Sequence, residues 1–162
     1  MANGEFGRAQ EDPIAAVERL RNQSAISNGG RLAEVAAGLV FRNGQLLITQ
    51  RHREAHLGGL WEFPGGKREP EESFEHCLQR ELREELGIEV VIEELLESLT
   101  HAYPDKAVLL KFYRCRWVKH EPQPLGCAAI AWVRRDQLVQ YAFPAADARL
   151  LQSLQSSPEL WR

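Results

Sequence analysis

The chain has 162 residues, with 20 Lys and Arg against 23 Asp and Glu, a formal net charge of −3. Hydrophobic residues make up 44% and charged residues 27%, ordinary globular usage at a length that suits one domain with its own core. The mildly acidic balance excludes a broad basic surface for nucleic acid, but residues 67–97 hold 11 acidic and 4 basic residues, a local −7 that leaves +4 elsewhere.

Residues 1–31 read as an N-terminal extension, polar except for Ile14, Val17 and Leu20 at helical spacing, with a linker at 24–30. A docked helix, a disordered arm and an added leader are the alternatives for it. This start lacks the apolar core of a signal peptide. The longest apolar run, 35–41, is far short of the ~18 residues that span a bilayer. A cytoplasmic protein with no membrane partner is expected. Cys77, Cys115 and Cys127 are odd in number and widely spaced, so they suggest neither a disulfide framework nor a metal site.

The regular domain is expected at 32–155, followed by a tail at 156–162. Strands are predicted at 34–41 and 45–49, joined by an Asn43-Gly44 hairpin turn. A Gly/Pro-rich loop at 57–66 leads to a helix at 70–86. Further strands are predicted at 89–92, 96–103, 107–118 and 128–133, and a last helix at 145–154 with Leu150, Leu151 and Leu154 inward. Strands dominate around one long and one terminal helix, which makes the fold class α+β rather than alternating βαβ units.

The long helix carries the chemistry. Phe74, Leu78, Leu82 and Leu86 recur every four residues as a buried stripe. Pro70 suits the first turn and Gly87 the position just past the end. Glu81, Glu84 and Glu85 crowd another face, a repulsion that a divalent cation would reverse. Oxygen-only ligands favour Mg²⁺ or Mn²⁺. The plain alternative is a solvated helix whose charges pair among themselves, Arg80 with Glu84 for one. Ahead of the helix, Gly65-Gly66 lets the backbone pass close enough for a carbonyl to complete a metal shell, and Lys67 is a phosphate-binding candidate.

Gly66, Glu72, Arg80, Glu81, Leu82, Glu84, Glu85, Gly87 and Ile88 occupy every specified position of the Nudix signature, G-x5-E-x7-R-E-U-x-E-E-x-G-U with U a bulky aliphatic. The chain therefore resembles the Nudix family. Likeness to its MutT-like branch extends over about 32–152, through Gln50-Arg51, residues 60–67, Tyr103-Pro104-Asp105 and residues 143–147. The resemblance implies a Nudix-type α/β/α sandwich with a mixed central sheet. It also implies Mg²⁺-dependent hydrolysis of a nucleoside triphosphate to the monophosphate and pyrophosphate, with nucleotide-pool sanitation of 8-oxo-dGTP as the leading substrate reading. CTP or a modified dCTP is the alternative. By family position Glu81, Glu84, Glu85 and the Gly65 carbonyl would hold metal, with Arg80 and Glu72 supporting them. Arg51, His56, Lys67 and Lys106 would meet the triphosphate. A substrate nucleotide, rather than stable nucleic-acid binding, is the expected partner of a monomer or homodimer. From another class, a non-catalytic recognition module resembling the C-terminal domain of adenine DNA glycosylases typically loses signature glutamates, which are all kept here.

Two positions depart from the branch. Many MutT-like enzymes carry a Glu six residues before a Trp matching Trp132, where this chain has Gly126. The general base is thus open between Glu121 and a helix glutamate. The base-reading amide of MutT is replaced by Asp147, which only accepts hydrogen bonds when ionised. That would suit an exocyclic amine such as that of cytosine.

Overall fold

A computed structural model describes residues 31–102 and 106–162, and for Arg31 and Lys106 the backbone alone. The Tyr103-Pro104-Asp105 motif and residues 1–30 of the N-terminal extension lie outside the described residues, while Arg31 begins the first strand. The strands are β1 (Arg31–Arg42), β2 (Gln45–Gln50), β3 (Trp61–Glu62), β4 (Gly65–Lys67), β5 (Glu89–Ala102), β6 (Lys106–Lys119) and β7 (Ala129–Val133). They form one mixed sheet in the order β3-β2-β1-β6-β5, with β4 also on β1 and β7 also on β2. The β1–β6 pair is parallel, from Arg31 opposite Lys106 to Phe41 opposite Arg116. The other pairings are antiparallel.

Asn43 (φ 51°) and Gly44 (φ 74°) supply the two positive φ angles that a tight β1–β2 hairpin needs. The edge of β1 facing away from β6 is divided. Its C-terminal end pairs with β2, Phe41 opposite Leu46, and its N-terminal half pairs with β4, Ala36 opposite Gly66. Between them the Gly38 N–H donates to Pro64 O at 2.8 Å. Residues 57–66, expected as loop, therefore contain β3 and the start of β4. These strands are two and three residues long and owe their form to partners elsewhere in the chain.

Helix α1 (Phe74–Leu86) covers one face of the sheet and α2 (Ala148–Ser156) the other. Alternation along β1 feeds both layers. Ala36 and Val40 pack with Leu78, Leu82 and Leu86, whereas Ala37, Leu39 and Phe41 pack with Leu150, Leu154 and Trp161. Leu151, expected inward, is only half-buried, and α2 is preceded by a 3₁₀ turn, Ala145–Asp147, within the predicted helix.

Helix α1 starts later than predicted. Ser73 is its N-cap, accepting from the His76 N–H at 3.0 Å. Pro70 therefore precedes the helix, separated from it by Glu71 at φ 66°. Gly87 ends the helix at φ 69° as expected, its N–H on Arg83 O and that of Ile88 on Leu82 O. The two strands predicted at 89–92 and 96–103 are one strand, β5, bent by register shifts between Ile92 and Glu97. Residues 156–162, expected as a tail, send Trp161 into the core. Pro158–Trp161 is a 3₁₀ turn, and Trp161 meets Phe41 edge-on at 5.5 Å while donating to Leu154 O at 2.8 Å.

Candidate active site

The β4–α1 segment is held against β1 by two close approaches. A Cβ on Gly65 would lie 2.0 Å from Ala36 O, and one on Gly66 would lie 2.2 Å from the Glu81 carboxyl carbon. Any larger residue would drive the strand off β1 or push Glu81 away. Behind this contact Cys77 is buried, its thiol pushed up to about 11 chiefly by burial, so it is inert at neutral pH.

Arg80 ties the preceding loop to the helix. Its Nη2 and Nε donate to the two Glu72 carboxylate oxygens at 2.7 and 3.1 Å, and Nη2 also reaches Lys67 O at 3.1 Å. Nη1 donates to Glu81 at 2.9 Å and Glu84 at 3.3 Å. These bonds from Arg80, with one from the Glu69 N–H, hold the Glu72 carboxyl down at about 2. The loop has a second anchor. Arg68 donates through Nε and Nη2 to the Glu34 carboxylate on β1 and through Nη1 to Glu72 O at 2.8 Å, while its own N–H bonds Glu34 O at 2.8 Å.

Beside this assembly opens a cleft of about 500 Å³. Glu81, Glu85, Glu62, Arg51, His56 and Lys67 line one part of it. Burial, followed by repulsion from Glu81 and Glu62, pushes the Glu85 carboxyl up to about 7, with Arg51 opposing. Burial also raises Glu81, against the pull of Arg80. Arg51 is braced by Nη1 on Glu62 at 2.8 Å and Nε on His56 O at 2.6 Å. Leu57 sits at the mouth in the left-handed region, φ 56°, an uncommon state for a bulky residue. The rest of the lining is apolar: Val35 and Ala37 from β1, Val108, Leu110 and Phe112 from β6, then Phe63, Pro144 and Ala146. Phe63 stands edge-on to Phe112 at 6.0 Å and tilted against Phe143 at 5.1 Å. Asp147 joins this lining, 9% exposed, and burial, with Glu62 adding, raises its carboxyl to about 6.

Gly65, Arg51, His56, Lys67, Glu81, Glu85 and Asp147 thus share one cleft, with Glu72 and Arg80 behind it. Glu84 does not join the lining. It is 60% exposed and turned to Arg80, the pairing expected of an ordinary charged helix, so of the three helix carboxylates only Glu81 and Glu85 share the cleft. Lys106 has no described side chain. Among the described residues no three His, Cys, Asp or Glu groups converge tightly enough to form a ready metal centre, because the Arg80 guanidinium draws Glu81 and Glu84 to itself. The donor set still fits a hard divalent cation. It is all oxygen, backed by a backbone that only glycine allows so close, and two of its carboxyls are raised by burial in a way that a cation would relieve.

Glu121 is placed elsewhere. It pairs with Arg42 at 2.7 Å and is not part of the cleft lining. The loop at Gly126 docks on the end of α1, the Leu125 and Gly126 N–H groups both donating to Glu85 O at 3.0 Å. A Cβ on Gly126 would come within 3.0 Å of Glu85 Cγ. The sequence reading missed Glu62 and the Phe63–Phe112 wall. Glu62 lies inside the recognised 60–67 segment, but no spacing rule singles out one carboxylate in a two-residue strand.

A carboxylate-bearing helix set against a glycine-backed strand, with an apolar pocket alongside, defines a hydrolase class that handles anionic substrates. A NUDIX domain model matches residues 36–153, and the chain belongs to the Nudix family. It is 35% identical over 123 residues, 76% of this chain and 91% of the relative, to the CTP pyrophosphohydrolase of Escherichia coli K12. It is 36% identical over 125 residues, 76% and 92% respectively, to the 8-oxo-dGTP diphosphatase of Haemophilus influenzae. Among solved structures, the E. coli ORF135 protein shares 33% identity at a TM-score of 0.68, covering 78% of this chain and 91% of that one. The chain is accordingly a hydrolase of phosphoric anhydride bonds in a family that acts on nucleotides with divalent metal ions. No helix among the described residues is long and apolar enough to cross a membrane.

Proposed function

We propose that this chain is a Mg²⁺-dependent nucleoside triphosphate pyrophosphohydrolase that releases a nucleoside monophosphate and pyrophosphate, working in the cytoplasm on an oxidised purine nucleotide such as 8-oxo-dGTP. The observation that carries the reading is the single cleft whose lining brings together Glu81 and Glu85, an apolar wall and Asp147. Glu81, Glu84, Glu85 and the Gly65 carbonyl would hold the metal, with Mn²⁺ an acceptable substitute. A bound divalent cation neutralises phosphate charge and acidifies water.

The protein's own groups divide the remaining work. Arg51, His56, Lys67 and Lys106 meet the phosphate chain, Arg51 with its direction already set by Glu62 and the His56 carbonyl. Water adds to a phosphorus, the bond to the bridging oxygen breaks, and pyrophosphate leaves. The proton of that water goes to a helix glutamate. Glu85 lines the cleft and is the candidate for this step, its carboxyl raised chiefly by burial before a cation is bound. Arg80 and Glu72 keep the helix and its loop in register.

CTP or a modified dCTP is the second reading, favoured by Asp147. With its carboxyl at about 6 it is mostly ionised at neutral pH and accepts from an amino group, whereas O6 of guanine needs a donor. Steady-state kinetics over canonical and oxidised dNTPs and CTP decide between them. A higher kcat/KM for 8-oxo-dGTP supports the first reading and a higher value for cytidine nucleotides the second.

A further inference from the structure

Away from the acidic cleft, arginines gather at one place. Arg42 ends β1, Arg114 and Arg116 stand two residues apart on β6, and Arg162 follows the last 3₁₀ turn. With Glu93 and Trp117 they line a second cleft, of about 410 Å³. It shares no lining residue with the first. On β1 Ala37 lines one and Phe41 the other, about 13 Å apart at ~3.3 Å per residue.

Four guanidinium groups line this cleft with one carboxylate, Glu93, while Glu121 pairs with Arg42 from outside the lining. The arginines fall into two pairs. Arg114 is fixed, with Nη1 on Leu160 O at 2.6 Å, Nη2 on Arg162 O at 2.9 Å and Nε on Glu93 at 3.0 Å. Arg42 is clamped between the rings of Trp132 (4.2 Å) and Trp117 (4.8 Å) and bonded to Glu121 at 2.7 Å. These two are held in place, each paired with a carboxylate, and form the fixed floor of the cleft. Arg116 is 62% exposed and reaches Glu93 only at 3.4 Å, a carboxylate it shares with Arg114. Arg162 is exposed as well. Their forks are available at the mouth, and a guanidinium fork matches two phosphate oxygens at once.

We propose that this cleft is a second anion site, which takes a diphosphate group, either inorganic pyrophosphate or the phosphate chain of a nucleotide. Its volume and its two forks at the mouth exceed what one phosphate needs. Its cations are already in place, so binding here requires no metal, unlike binding at the carboxylates of the first cleft.

Calorimetric titration of the full chain with pyrophosphate, in EDTA and at low salt, tests this. Saturable one-to-one binding is expected, with orthophosphate at least tenfold weaker. The paired change R116Q/R162Q should weaken pyrophosphate binding tenfold or more with an unchanged Tm, and K67Q in the first cleft should leave it unaltered. Uridine diphosphate binding with the same Arg dependence would identify the nucleotide as an equally accepted source, and its absence would restrict the site to the inorganic anion. No saturable binding in EDTA overturns the proposal, as does binding that K67Q removes and R116Q/R162Q keeps.

Discussion

The two ends of the first cleft are built in opposite ways. At the acidic end, which Glu62, Arg51 and His56 also line, the α1 carboxylates and their supports come from one short stretch of chain, residues 65–85. Its parts brace one another through the Gly66–Glu81 approach and the Arg80 bonds to Glu72 and Glu81. The apolar end is assembled from β1, β6, the β3–β4 connection and the turn at Asp147, segments more than a hundred residues apart in sequence at the extremes. Reaction chemistry tolerates little displacement of charged groups, so it is served by a local, cross-braced unit. A base pocket needs volume and one or two polar groups, which distant strands can supply through the common core.

The largest effects belong to the acidic end. Glu81→Gln and Glu85→Gln should each lower kcat by about 10³-fold, since each removes charge from a site that would handle a metal-bound phosphate. Glu84→Gln should cost only about tenfold, because this side chain is exposed and lies outside the lining. Equal losses at all three positions would break the distinction between cleft and flank. Glu85→Gln carries an opposite sign in stability. The folded state holds the Glu85 carboxyl at about 7, above its usual 4.5, so its favourable contribution is present below pH 4.5 and is lost as pH rises to 7. At pH 8 the metal-free Gln variant should therefore melt higher than the parent by a few degrees, by about the amount ~1 kcal/mol would give, and the gain should vanish near pH 4.

Next in size is the apolar end. Asp147→Asn replaces an acceptor with an amide that also donates, and should shift the kcat/KM ratio of 8-oxo-dGTP to CTP by about 10–100-fold toward the purine. In the parent the same ratio should rise as pH falls through about 6, because protonated Asp147 gains a donor. A ratio flat from pH 5 to 8 would separate Asp147 from base choice. Rates at either substrate should fall together as acid protonates Glu85, at a pH below its metal-free value of about 7 because a bound cation favours the carboxylate. This common loss distinguishes that titration from the change in ratio.

What could be read in the sequence follows the same division. The β1–β2 turn, the helix stop at Gly87 and the nine signature positions depend on neighbours within a few residues, and they lie where spacing puts them. The start of α1 was misplaced because Pro70 is a permissive signal, whereas Ser73 makes the capping bond. Strands β3 and β4 left no periodicity to find, since their pairing comes from Gln50 and Ala36 on other strands. Glu62 acquires meaning only when β3 is laid beside β2, and the Phe63–Phe112 wall only when β6 is laid beside β1. Trp161 read as tail because a single aromatic seven residues after Leu154 does not reveal that Phe41 waits for it.

The smallest expected effect tests how local the acidic end is. Arg68 is not a signature position, yet its guanidinium joins the Glu34 carboxylate on β1 to the Glu72 carbonyl, and Glu72 in turn holds Arg80. Arg68→Ala leaves every cleft residue in place and loosens only the loop that sets Arg80. The half-saturating Mg²⁺ concentration should rise about fivefold, the equivalent of ~1 kcal/mol for a part-buried pair, with kcat at saturating metal within about twofold. Lys at 68 should recover part of this, since it restores the charge without the fork that reaches both partners. Glu34→Gln should reproduce the metal defect without touching the loop itself, and the double variant should be no worse than either single one. An additive double variant would mean that β1 and the loop act on the site separately, and the unit that carries the chemistry would then end at Gly65 rather than extend into the sheet.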